Sequence, residues 1–228
     1  EKEYLYEKTN IEGFKLFCKF CKNNNIKKII YASSSSVYSD ESNLKSSESS
    51  TVLSPKSKYG QSKLENEKFA KKFATENDIS IIGLRFFSVY GPLGRPDMAY
   101  YSFADAIKQN KKIKLFNKGD MTRDMTYIDD VIGGILETIT LINSRQRYKN
   151  EIFNLGSDNP ISTLKLLNEI EKQLARRAKI DFFDTQNEAN YTHADILKAK
   201  KILNYSPKTS FKKGIKKFLD WHESYYEK

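Results

Sequence analysis

Two short segments of this chain carry residue types able to move a proton. Ala32-Ser33-Ser34-Ser35-Ser36-Val37-Tyr38 ends in a run of hydroxyls, and Tyr59-Gly60-Gln61-Ser62-Lys63 sets a phenol four positions before an ammonium. On a helix, residues four apart share a face. An ammonium beside a phenol favours the phenolate, and a phenolate can take a proton from an alcohol. Spacing alone is not selective: with 14 tyrosines in a lysine-rich chain of 228 residues, about two such pairs arise by chance. Tyr4 and Lys8 form a second one. Context separates them, because Ile29-Ile30-Tyr31-Ala32 reads as a buried strand that delivers hydroxyls at its end, where open α/β sheets place their active sites. The competing reading of Tyr59 and Lys63 is a surface helix starting after Pro55.

The elements around these residues alternate. Residues 9 to 24 read as a helix, 27 to 33 as a strand, 39 to 57 as a Ser/Pro loop, 58 to 76 as a helix with Leu64, Phe69, Ala70 and Phe73 inward, and 79 to 87 as a second buried strand. That rhythm predicts a parallel sheet. After Tyr90-Gly91-Pro92 the elements shorten: helices at 98 to 109, 129 to 142, 162 to 176, 194 to 203 and 210 to 226, and strands at 112 to 116 and 151 to 155. Phe211, Ile215, Phe218, Leu219 and Trp221 recur at helical spacing, a core stripe.

Composition narrows the function. The chain has 39% hydrophobic residues, enough for a real core, and a net charge of +10 from 39 basic and 29 acidic residues. Such a balance suits nucleic acid, but the basic residues are mostly lysines scattered along helices without a recognition motif, so no nucleic-acid partner is expected. Cys18 and Cys21 form a Cys-x-x-Cys that reads as redox or half of a zinc site, or as burial on the stripe Ile11, Phe14, Phe17, Cys18, Cys21. No second cysteine pair exists, and no metal is expected. No apolar run approaches a membrane span, and no signal peptide is seen, so a soluble cytoplasmic protein is expected.

Taken together, Tyr31 to Tyr38, Leu84-Arg85-Phe86-Phe87-Ser88-Val89-Tyr90-Gly91-Pro92, Gly94-Arg95-Pro96-Asp97-Met98-Ala99-Tyr100 and Arg123-Asp124-Met125-Thr126-Tyr127-Ile128-Asp129-Asp130 resemble the extended short-chain dehydrogenase/reductase family. Within it, the chain is similar to the UDP-glucuronate 4-epimerases. The resemblance implies a tightly held NAD as hydride acceptor, with Tyr59 as base, Lys63 favouring its phenolate and Ser34 bonding the same oxygen. Phe86 and Ser88 would pass near the nicotinamide, as would Tyr59 and Lys63. Ser35, Ser36, Ser88 and Arg95 would hold a hexuronate carboxylate, and Arg123 the UDP diphosphate. Asn10 matches an asparagine of the same family. Related dehydratases and decarboxylases carry acidic residues where Ser35 and Ser36 stand, which argues against elimination. Arg95 in a surface turn, Ser35 and Ser36 as backbone caps, and Arg123 paired with Asp124 or Asp129 remain the bland alternatives.

The resemblance implies a partial Rossmann-like doubly wound parallel sheet whose first strands are missing, with a smaller C-terminal α/β domain. Residues 1–92 would form the NAD-binding part, with 120–160 returning to it in part, and 93–228 mainly the nucleotide-sugar part. No Gly-x-x-Gly-x-x-Gly, the usual pyrophosphate cradle, occurs among the ten glycines, and residues 184 to 195 depart from the family's Pro-Gly-Asp-Val pattern. A homodimer through helices near 9 to 24 and 58 to 76 is expected. The rivals are another UDP-sugar epimerase or dehydratase, and a non-catalytic remnant or half of a split enzyme.

Overall fold

The computed structural model describes residues 3–39, 44–144, 148–184 and 191–226. A helical run opens the chain: α1 (Glu3–Leu5) passes through a π-helical segment, Tyr6–Glu12, into α2 (Gly13–Asn23). Strand β1 (Lys28–Ser34) ends in a 3₁₀ turn, Ser35–Val37. Helix α3 (Lys58–Asn77) starts where the Ser57 hydroxyl accepts the Gly60 amide at 3.0 Å, a side-chain N-cap. There follow β2 (Ser80–Phe86), β3 (Ser88–Tyr90), α4 (Ala99–Lys108), β4 (Lys112–Phe116), β5 (Thr122–Tyr127), α5 (Ile128–Asn143) and β6 (Asn150–Leu155). The last elements are β7 (Pro160–Ser162), α6 (Thr163–Leu174), β8 (Lys179–Phe183), α7 (Leu197–Leu203) and α8 (Phe211–Tyr226).

Strands β1, β2 and β6 form a parallel sheet in that order, with Tyr31 opposite Gly83 and Gly83 opposite Ile152. Buried on both faces, its central strand is a nearly continuous apolar run, as parallel sheets require. Cys18, Cys21, Phe73, Ala74, Ile29 and Ile81 pack on one face; Ile82, Leu84, Phe153, Ile142 and Leu203 pack on the other. Among the described residues β1 pairs only with β2. A second sheet joins β3 to β5 in parallel and β5 to β7 antiparallel, and β4 pairs with β8. Helices α4, α6 and α8 enclose a separate core there, including Tyr90, Tyr100, Phe103, Leu115, Leu167, Ile215 and Phe218.

The long elements fall where hydrophobic periodicity puts them, including the α8 stripe. Four short strands, β3, β5, β7 and β8, do not show in that pattern: β5 reads Thr-Arg-Asp-Met-Thr-Tyr and hides polar residues inside. The opening helix begins at Glu3 rather than near residue 9, and Phe17, expected inward, is 48% exposed. Both cysteines are free and buried, and burial pushes the Cys18 thiol up to about 12. Among the described residues no cluster of three or more metal-ligating side chains occurs, and no helix is long and apolar enough to cross a membrane. Half of the departing 184 to 195 loop, residues 185–190, lies outside the described residues.

Candidate active site

The start of α3 meets the end of β1. Ser57 caps the helix, so Tyr59 and Lys63 project from its first turns. The Lys63 ammonium donates to the Ala32 carbonyl at 3.0 Å and stands 5.7 Å from the centroid of the Tyr59 ring. Burial alone holds the Lys63 ammonium below the ordinary lysine range. One residue beyond β1's apolar core, the Ser36 amide and hydroxyl lie 3.1 Å from the Ser34 hydroxyl, which accepts from the amide and donates to the hydroxyl. Ser34 is buried, and Ser35 and Ser36 are half-buried in the 3₁₀ turn.

On the other side of Tyr59 stands the π-helical segment, a form that recurs at functional sites. Its Tyr6 ring lies 5.9 Å from the Tyr59 ring, centroid to centroid. Its Asn10 donates to the Ser62 hydroxyl at 3.0 Å, and Ser62 donates to the Tyr59 carbonyl at 2.7 Å. Asn10 therefore belongs to the framework of the Tyr59 turn.

Beneath the serines runs a network that motif reading missed. Ser33 donates to the Glu67 carboxylate. Arg85 grips the same carboxylate through Nε at 2.9 Å and Nη2 at 2.6 Å, with both side chains at most 8% exposed. The Arg85 guanidinium lies 4.6 Å from the centroid of the Tyr38 ring, whose hydroxyl donates to Asn154 at 2.7 Å. Glu67 is one turn beyond Lys63, so the network ties the helix carrying Tyr59 and Lys63 to the strand carrying the serines. A carboxylate four residues after Lys63 on a face shared with Ala70 was the available signal.

The remaining expected residues sit elsewhere. Phe86 is half-buried and packs against the sheet core. Ser88 and Arg123 line one cavity of about 270 Å³ with Asp97, Met98, Lys114 and Phe116. Arg123 also donates to the Thr122 carbonyl at 3.1 Å. Arg95 lines a neighbouring cavity of about 310 Å³ and is forked onto Asp97. Neither cavity is lined by Tyr59, Lys63 or the three serines.

Two carboxylates of the Arg123 to Asp130 segment hold backbone instead of ligand. Asp124, fully buried, accepts the Ser157 amide at 2.6 Å, the Asp158 amide at 3.1 Å and the Ala194 amide at 3.0 Å. Asp130 accepts the Lys208 and Thr209 amides at 3.0 and 3.1 Å. Accepting these amides ties the loops at residues 157–158, 194 and 208–209 to the Arg123 to Asp130 segment.

Residues 1–156 match the NAD dependent epimerase/dehydratase family. The chain belongs to that family. An uncharacterized protein of Methanocaldococcus jannaschii is 41% identical over 96% of this chain and 66% of its own length. UDP-glucuronate 4-epimerase 4 of Arabidopsis thaliana is 37% identical over 97% of this chain and 54% of its own. The crystal structure of a UDP-glucuronic acid 4-epimerase from Bacillus cereus, in complex with UDP-glucuronic acid and NAD, superposes with a TM-score of 0.89 at 33% identity. It covers 95% of this chain and 68% of that one. The chain thus spans about half to two thirds of the length of these relatives.

Proposed function

We propose that this member of the epimerase/dehydratase family carries the acid/base centre and the sugar-nucleotide cavity of a UDP-sugar 4-epimerase, interconverting UDP-glucuronate and UDP-galacturonate. The observation that carries it is the Lys63 ammonium, anchored on Ala32 at 3.0 Å and beside the Tyr59 ring at a strand end lined with serines. The relatives named for this reaction and the shared fold support the reading.

The residues at this strand end fit the nicotinamide-ribose end of NAD: a phenol and a partly desolvated ammonium stand side by side on α3. NAD, when bound there, supplies a reversible hydride acceptor. Tyr59 takes the proton of the sugar's 4-hydroxyl as carbon 4 gives up its hydride, and returns a proton to that same oxygen once the turned 4-keto sugar has regained hydride on its opposite face. Lys63 favours the anionic state of the phenol, and Ser34 offers a hydroxyl at the same oxygen. Arg123 and Ser88 face the diphosphate and sugar from the cavity. Serines at 35 and 36 leave no carboxylate at the turn to drive elimination.

A pyrophosphate cradle finds its natural place on β1's free edge, beside Ile132, Leu136 and Ile139 of α5, which are 45%, 58% and 43% exposed. We propose that a strand-and-helix unit pairs there in the active assembly. We also propose that two copies associate through α2 and α3, because α2 exposes Leu16 by 64% and Phe20 by 59%; a Leu16→Glu, Phe20→Glu variant should elute as monomer where the parent elutes as dimer.

The test is NMR of UDP-glucuronate incubated with the chain and excess NAD. UDP-galacturonate that forms with the parent and falls by about a hundredfold or more with Tyr59→Phe supports the assignment. A chain that neither turns over nor binds UDP-glucuronate overturns it.

A further inference from the structure

Arg95 and Asp97 face each other across Pro96 in the loop that enters α4. Arg95 Nε donates to Asp97 Oδ1 at 3.0 Å and Nη2 donates to Oδ2. That fork is the geometry with which a guanidinium takes any carboxylate. The side chains are 76% and 63% exposed, and a pair so open to water is held only weakly.

The backbone beneath is fixed. Gly91 lies at φ +146°, in a region that favours glycine, and the Met98 amide donates to the Arg95 carbonyl at 3.2 Å. At Gly94 any side chain would collide with the Tyr100 hydroxyl. The loop therefore stays while the side chains exchange. It also stands where the exchange would matter: Asp97 shares a cavity with Ser88 and Arg123, Arg95 lines the next, and both cavities are bounded by Met98 and Tyr100.

We propose that Asp97 is a built-in placeholder carboxylate, which holds Arg95 until the carboxylate of a uronic-acid ligand displaces it, and so sets how strongly the chain discriminates charged from neutral sugars. This rests on the uronate reading above. A neutral sugar leaves the fork intact and gains nothing from Arg95. A uronate exchanges one carboxylate for another on the same guanidinium and leaves Asp97 as a nearby like charge. Asp97 therefore opposes uronate binding twice, as competitor and by repulsion, while keeping Arg95 paired when no uronate is present.

The test is calorimetric titration of UDP-glucuronate and of UDP-glucose, with excess NAD, into the full chain and into Asp97→Asn, Arg95→Met and the double variant. Asp97→Asn should tighten UDP-glucuronate about three- to fivefold and leave UDP-glucose unchanged. Arg95→Met should abolish the parent's preference for the uronate, and in its background Asp97→Asn should have a smaller effect than in the parent, since only the like-charge repulsion is left to remove. A parent that prefers UDP-glucuronate, with Asp97→Asn leaving that preference unchanged or weaker, overturns the placeholder alone. A parent with no preference, or one that binds neither sugar nucleotide, overturns the uronate reading and the placeholder with it. Asp97→Ser, which removes the charge with a smaller side chain, should reproduce the Asn result.

Discussion

The strand end that carries Tyr59 and the cavity that carries Arg123 lie in the same chain but are held by opposite kinds of force. Around Tyr59 the elements are tied by buried polar groups: Ser33, Glu67, Arg85, Tyr38 and Asn154 link β1, α3, β2 and β6. Around Arg123 they are tied by aromatic packing, with Tyr90 and Tyr127 at 5.6 Å and Tyr100 and Phe218 at 4.8 Å between ring centroids. Among the described residues the first region also has an unpaired strand edge and an exposed stripe on α5, whereas the second encloses its own core. A polar tie fixes relative position through directional bonds but adds little net stability. An aromatic core adds stability and tolerates small displacements. On the proposed reading, the half that must align a phenol with a sugar hydroxyl uses the directional device.

That contrast is open to attack at Glu67. Removing one partner of a buried pair leaves the other charge uncompensated, so Glu67→Ala should cost about 3–5 kcal/mol in urea unfolding. Replacing both partners, as Glu67→Met with Arg85→Met, should restore most of that loss, because two desolvated charges are exchanged for apolar packing. If epimerase turnover returns along with stability in the double variant, the pair serves only the fold, and the proposed positioning role of the network is wrong.

In the second region a change at the cavity wall should separate from stability. Arg123→Met should weaken UDP binding about tenfold, as expected on losing a charged hydrogen bond. It should move the unfolding free energy by no more than about 0.5 kcal/mol, because the aromatic core does not depend on it. Calorimetry and urea unfolding on one preparation check both figures. A large loss of stability would show that Arg123 supports β5 more than ligand.

The same contrast explains what could be read before the fold was known. Periodicity locates α3, α8, β1 and β2 because these elements bury long apolar faces. It misses β3, β5, β7 and β8; in β5 the consecutive polar residues Thr122, Arg123 and Asp124 break the alternation, and the buried carboxylate is satisfied by amides from residues 157, 158 and 194. Helical spacing predicts that Tyr59 and Lys63 share a face, and the buried strand with serines at its end sets this pair apart from Tyr4 and Lys8. Glu67 and Arg85 are not, since their partnership spans 18 positions and two elements. The resemblance makes Arg95 an expected partner for a hexuronate carboxylate; that the carboxylate it pairs with here is Asp97, two positions on, is a fact of side-chain geometry.

The smallest expected effect separates the two regions by pH. Burial lowers the Lys63 pKa below the ordinary lysine value of about 10.4. Between the lowered folded value and that unfolded value, the unfolded chain holds a proton that the folded chain has released, so this group makes stability rise with pH across the window. Measured as the difference between the parent and Lys63→Met, unfolding free energy should therefore increase from pH 8 toward pH 10.5, roughly the span over which a lysine titrates. Turnover should move the other way, because the neutral amine no longer favours the phenolate. Arg123 and Arg95 stay charged throughout, so UDP binding should be flat over the same range. A stability difference that falls with pH would mean that its surroundings stabilise the Lys63 cation, and the strand end would then be a site built to hold positive charge rather than one that tolerates it beside a phenol.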